Sequence, residues 1–243
     1  MSTMLDQDRI LANDVLERHY YSKFREGKEG KTLEIFLLGA CRSNCEYCYL
    51  KKHLKDLYPI HLHNYDTIIN NLGLILDWYI ENNFKCGIEI FSGEWLTTPL
   101  ADRVIDTFYE KFKDVNDCNK PVRIICADNM QFLKNDEVTA KVEEYIERLR
   151  SINIPLIFSC SIDGKYCDDG RTPNDELFYQ KLKMMVDKYH WLLHPMVSSS
   201  NIDRWIPNFL WIEETFGKEV LYQSTYLEVR DGSWTESSID SLL

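Results

Sequence analysis

The sequence predicts an α/β chain folded as a partial (βα)6 barrel of the TIM type, with one helix ahead of it. Three observations carry this expectation. From residue 32 onward, short apolar runs alternate with longer segments whose apolar residues recur at helical spacing. No Gly-, Ser- or Pro-rich linker divides the 243 residues. An apolar content of 44% with 13% aromatics suffices for a large core without disulfides.

Leu5 to Phe24 carries Ile10, Leu11, Val15 and Leu16 in a helical pattern that breaks at the charged, glycine-containing stretch Arg25 to Lys31. Thr32 to Leu38 reads as the first strand, and Asp66 to Glu81 as its helix, with Ile68, Ile69, Leu72, Ile75, Leu76 and Tyr79 on one side. Gly87 to Phe91 and Leu100 to Phe112 form the second unit, and Val122 to Cys126 and Asp136 to Arg150 the third. Ile154 to Cys160 is the clearest strand, followed by a helix over Asp175 to Lys188. A fifth strand is expected over Trp191 to Val197, a helix over Ile202 to Glu214, and a sixth strand over Leu221 to Val229.

Strands separated by long helices call for crossovers onto a parallel sheet, whose carboxyl ends gather at one rim. Six such units suit an open barrel better than a closed eight-fold one of about 250 residues; a doubly wound sheet is the alternative. The expected organisation is a helical extension over 1–31, the barrel over 32–230 and a polar tail over 231–243.

A net charge of −11 argues against binding nucleic-acid phosphates or anionic lipid, since the long-range field repels both. No apolar run approaches about 18 residues, and Met1 to Ile10 is polar, without a signal-peptide pattern. A soluble, cytoplasmic protein with reduced thiols is therefore expected, although it has eight cysteines.

Cys41, Cys45 and Cys48 cluster directly after the first strand, whereas Cys86, Cys118, Cys126, Cys160 and Cys167 are scattered. Three thiolates are too few for a closed zinc site, but in a 4Fe-4S cluster they leave one iron open to an external ligand. A zinc knuckle completed by His53, His61 or His63, or ordinary loop thiols, are the competing readings.

The spacing CxxxCxxC, with Tyr47 before its last cysteine, resembles the radical S-adenosylmethionine superfamily. That resemblance implies that Cys41, Cys45 and Cys48 ligate a 4Fe-4S cluster and that S-adenosyl-L-methionine chelates the open iron, with Tyr47 beside its adenine. Reductive cleavage of the sulfonium then yields a 5'-deoxyadenosyl radical. Ser92-Gly93-Glu94 is similar to the family's Gly-Gly-Glu element, which holds the methionyl ammonium, with Ser92 in place of the first glycine. A carboxylate facing a cation and a small residue permitting close backbone approach are chemically apt there.

Ser161-Ile162-Asp163-Gly164, with Arg171 downstream, resembles the peptide-modifying branch whose members carry a SPASM or twitch extension. The resemblance implies Ser161 and Asp163 near the ribose hydroxyls, Arg171 near the methionyl carboxylate, and Val197 and Ser198 around adenine and ribose. Arg42 departs from the Asn or Thr common at its position, and no auxiliary-cluster cysteines follow the sixth strand, so a compact form or a fragment is expected. The function expected is hydrogen abstraction from a peptide or protein substrate, with flavodoxin or ferredoxin as electron donor. A small-metabolite or nucleoside substrate, or a non-catalytic iron-sulfur or zinc protein, stands as the alternative.

Overall fold

The computed structural model describes residues 32–37, 41, 43, 45, 48, 64–91, 93–167, 174–221, 226–227 and 234–237. The expected helix over 5–24, His53, His61 and His63, and most of the tail lie outside these residues. Elements follow in the order β1 (Thr32–Ile35), α1 (Tyr65–Glu81), β2 (Gly87–Phe91), α2 (Leu100–Phe112), β3 (Ile124–Asp128), α3 (Asp136–Arg150) and β4 (Leu156–Cys160). Then come α4 (Glu176–Tyr189), β5 (Leu192–Leu193), β6 (Met196–Val197), α5 (Trp205–Phe216) and β7 (Tyr226–Leu227).

Helix starts obey local chemistry. Asn64 Oδ1 accepts the Asp66 and Thr67 N–H groups at the head of α1, and Asn135 does the same for Glu137 and Val138 at α3. Asp175 accepts from Phe178 at α4, which ends where His190 turns left-handed with φ 56°.

β1 to β5 form one parallel sheet in sequential order, and β6 pairs parallel with β7 apart from it. An order without reversal has no switch point, so the described strands are not a doubly wound sheet. Strand alternation divides the sheet into two unlike faces. Ile35, Ile88, Ile90, Ile124, Cys126, Phe158 and Cys160 are buried and join the inward sides of α1 to α5 in one continuous core. The opposite face carries exposed Glu34, with Glu89, Ile125, Ile157, Ala127, Ser159 and Leu192 all half-buried.

Neighbouring helices are tied by charge. Asp102 on α2 accepts from Lys141 Nζ at 2.5 Å and from the Tyr145 hydroxyl at 2.7 Å, both on α3; Arg148 pairs with Asp106, and Lys188 with Glu143. The charged side of α3 therefore bridges to both α2 and α4. These partly exposed pairs add little each.

Several boundaries differ from expectation: β1 ends at Ile35 instead of Leu38, β4 begins at Leu156 instead of Ile154, and α5 spans Trp205–Phe216 after a 3₁₀ turn over Ile202–Arg204 instead of running from Ile202 to Glu214. β3 runs Ile124–Asp128 instead of Val122 to Cys126: Val122 is exposed, the ladder begins with the Ile124 N–H on the Pro155 carbonyl at 2.8 Å, and the Asp128 carbonyl still accepts Ser161 N–H at 2.7 Å. The single fifth strand is two. Pro195 has no N–H to donate, and beyond it the Met196 N–H turns to the Asp163 carboxylate at 3.0 Å, which moves β6 out of the main sheet. Leu221 belongs to a 3₁₀ turn over Lys218–Leu221, so the last strand begins later.

Candidate functional site

All strands of the main sheet point the same way, so the segments leaving β1, β2, β3 and β4 meet at one rim. The cysteine loop leaves β1 there. Cys48 N–H closes a turn on the Cys45 carbonyl at 3.2 Å; Cys45 is buried, Cys48 half-buried, and all three thiols are free of disulfides. The Cys41 side chain is reachable by solvent yet enclosed enough that burial is the main cause raising its thiol pKa. Glu94 and Cys48 raise it further, while the Ser43 backbone N–H and hydroxyl oppose the shift by hydrogen bonding to the sulfur. A metal taking this sulfur as thiolate must therefore displace a proton.

Behind β2, Gly93 and Glu94 are both buried, and Glu94 Oε1 accepts the Thr97 hydroxyl at 3.2 Å. The Trp95 N–H folds back onto the Gly93 carbonyl at 3.2 Å, making a tight turn that holds the Glu94 carboxylate within electrostatic range of Cys41. Ser92, Tyr47 and Arg171 lie outside the described residues.

Behind β4, Ser161 is half-buried at the rim and tied by its N–H to Asp128. Asp163 is completely buried: its carboxylate accepts Met196 N–H, and its carbonyl accepts Asn208 Nδ2 at 2.6 Å. Its observed contacts thus join the end of β4 to β6. Val197 and Ser198 are buried at the end of β6, where Asn201 Oδ1 accepts Ser198 N–H at 2.9 Å and the hydroxyls of Ser198 and Ser200 meet at 2.9 Å. The rim thus collects Cys41, Gly93, Glu94 and Ser161, with Asp163 linking it to Val197 and Ser198.

Four residues at or near this rim were not anticipated. Asn129, just past β3, reaches Cys41 Sγ at 3.8 Å and Ser43 Oγ at 2.7 Å through its side-chain amide. Asn208 and Asn201 hold the loops after β4 and β6, and Asn201 also offers its carbonyl to the buried Cys167 thiol at 3.8 Å. Asp128 is buried at the end of β3, with Oδ1 accepting Met130 N–H at 2.6 Å and Oδ2 without a hydrogen-bond partner among the described residues. Ending the third strand at Cys126 hid the first and last of these. Asn208 sits within a helical pattern where no local signal marks it.

Burial pushes the Asp128 carboxyl up to about 7, the Glu94 charge adding to the rise and the Met130 N–H opposing it. The folded chain thus keeps a proton that the unfolded chain releases from about pH 4 upward, so stability falls as pH rises through the window up to about 7. About 3 units at about 1.4 kcal/mol each give a loss on the order of 4 kcal/mol. The expected result is that Asp128→Asn flattens this dependence, read from urea unfolding at about pH 4.5 and about pH 8. Equal slopes in wild type and variant would contradict the assignment.

The donor set suits an iron-sulfur cluster: three soft thiol ligands come from one loop, without a fourth. Among the described residues no three His, Cys, Asp or Glu side chains converge tightly enough to share a single metal ion. A cubane instead places each thiolate on a different iron. No helix among the described residues is long and apolar enough to cross a membrane. Comparison of the chain with protein-family models and with curated proteins gives no match.

Proposed function

We propose that the chain is a radical S-adenosylmethionine enzyme that abstracts hydrogen from a side chain of a peptide or protein, on a partial (βα)6 barrel. The observation that carries this reading is the Cys41-Cys45-Cys48 loop meeting the residues that follow β2 and β3, with Asn129 on Cys41 and Glu94 within electrostatic range. When bound, a 4Fe-4S cluster of this ligation supplies one electron to S-adenosyl-L-methionine, whose cleavage gives the 5'-deoxyadenosyl radical.

The chain's own residues then have to bind, orient and exclude water. Cys41, Cys45 and Cys48 would hold the cluster. Glu94, buried and steadied by Thr97, is a carboxylate set to receive an ammonium group, and Gly93 lets the backbone approach it closely. Buried Trp95 and Leu96 keep water from behind that carboxylate. Ser161, Val197 and Ser198 offer hydroxyls and an apolar wall suited to a nucleoside, with Asp163 fixing the loop between them. Tyr47, Ser92 and Arg171 complete the pocket on the strength of the sequence resemblance.

The sequential sheet with one dry and one half-open face supports the barrel, because rolling the half-open face inward gives a lumen below the rim. A peptide entering from the rim would reach that lumen, and an external flavodoxin or ferredoxin would deliver the electron.

The test is anaerobic reconstitution with iron and sulfide, reduction with dithionite, and assay of 5'-deoxyadenosine after S-adenosyl-L-methionine is added. About four irons per chain and cofactor-dependent product are expected. A colourless zinc protein, or a four-iron protein that yields no product, would overturn the proposal.

A further inference from the structure

The amide of Asn129 is anchored at one end and free to donate at the other. Its Oδ1 accepts the Gln131 N–H at 3.0 Å, which fixes the orientation of the amide plane and directs Nδ2 at the cysteine loop. One Nδ2–H lies toward Cys41 Sγ at 3.8 Å and the other on Ser43 Oγ at 2.7 Å. The Ser43 oxygen accepts from Asn129, and the Ser43 hydroxyl and backbone N–H favour a negative Cys41 sulfur. The turn that presents Asn129 is itself rigid: Met130 adopts φ 61°, and its N–H is held by Asp128 Oδ1. The Cys41 sulfur thus faces a donor from a segment far away in sequence, and the same amide engages Ser43 beside it.

We propose that Asn129 is a positioning residue that tunes the redox centre: its amide, fixed by Gln131 and shared with Ser43, donates to Cys41 Sγ and raises the reduction potential of the iron-sulfur cluster. This inference rests on the cluster reading above. Donors to a cluster sulfur stabilise the more negative, reduced state, so their loss lowers the potential. It also gives the β3 rim a role in setting how readily the cluster is reduced.

Asn129→Asp keeps the oxygen that accepts from Gln131 and replaces the donor with a negative acceptor, while Asn129→Ala removes both. Each variant would be reconstituted beside wild type, checked for fold by circular dichroism and for iron and sulfide content, and titrated anaerobically with the reduced-cluster electron paramagnetic resonance signal as readout. The expected result is wild-type iron content with a midpoint shifted to lower potential in both variants, further in Asn129→Asp. Midpoints equal to wild type in both variants overturn the inference alone. A wild-type chain that takes up no iron overturns the cluster reading and the inference together.

Discussion

Cys45→Ser is expected to lose cluster iron and 5'-deoxyadenosine formation together, while the fold persists. The substitution is nearly isosteric at a buried position, and the turn closed by the Cys48 N–H rests on the Cys45 backbone carbonyl. What changes is the donor: a hydroxyl is a hard, weakly acidic ligand where the cluster needs a soft thiolate. Loss of a group hydrogen-bonded to a metal ligand costs about 10- to 100-fold in metal affinity, so loss of a ligand itself should cut product at least about 100-fold. The informative contrast is Cys126→Ser. Cys126 is fully buried in β3 against the helices, with its thiol pKa pushed well up by burial, Asp128 adding to the rise. A hydroxyl placed there should cost about 1–3 kcal/mol of stability yet leave iron content intact. Iron retained by Cys45→Ser, or lost from a folded Cys126→Ser, would count decisively against the assignment of the ligands.

Helices were easier to read in this sequence than strands, for a physical reason. Leu100–Phe112 and Asp136–Arg150 match expectation end to end, and α1 and α4 shift by one residue at most at either end. Each buries a stripe several turns long and begins at an Asn, Asp or Pro. Strands are shorter and depend on partners distant in sequence. Asp128 looked like loop because aspartate is a poor strand residue, yet its backbone completes the ladder and its carboxyl caps the following turn. The break between β5 and β6 was foreshadowed by Pro195, but the new partner of Met196, the Asp163 side chain, can be seen only in three dimensions.

The same distinction governs the site. Cysteine spacing, Gly93-Glu94 and Ser161 to Gly164 were legible because each is a local string at a strand end. Asn129, Asn201 and Asn208 were not, because their value lies in what they touch across the rim. Asparagine offers donors and an acceptor without charge, which suits it to joining loop backbones in a buried place. It is also among the commonest turn residues, so its presence in a sequence discriminates little.

Gly164→Ala is expected to destabilise the protein by about 2–6 kcal/mol, combining backbone strain of about 1–3 with overpacking of similar size. Gly164 has φ +101°, a region that side-chain-bearing residues rarely adopt, and a Cβ there would lie 2.5 Å from Asn208 Oδ1 and 2.8 Å from Nδ2. Asn208 cannot move aside cheaply. It is fully buried and holds the Tyr166 N–H at 3.1 Å with one end and the Asp163 carbonyl at 2.6 Å with the other. Gly217 supplies the control, since its φ of +95° imposes comparable strain but nothing lies within 4 Å of its Cβ position. Urea unfolding of Gly164→Ala and Gly217→Ala therefore separates the two contributions, the first exceeding the second by the cost of the Asn208 contact. Adding Asn208→Ala to Gly164→Ala should cost less than the sum of the single variants, because the clash and the two hydrogen bonds share one side chain. Equal midpoints for the two glycine variants would mean that Asn208 yields, and that the loop carrying Ser161 and Asp163 is held less tightly than its contacts imply.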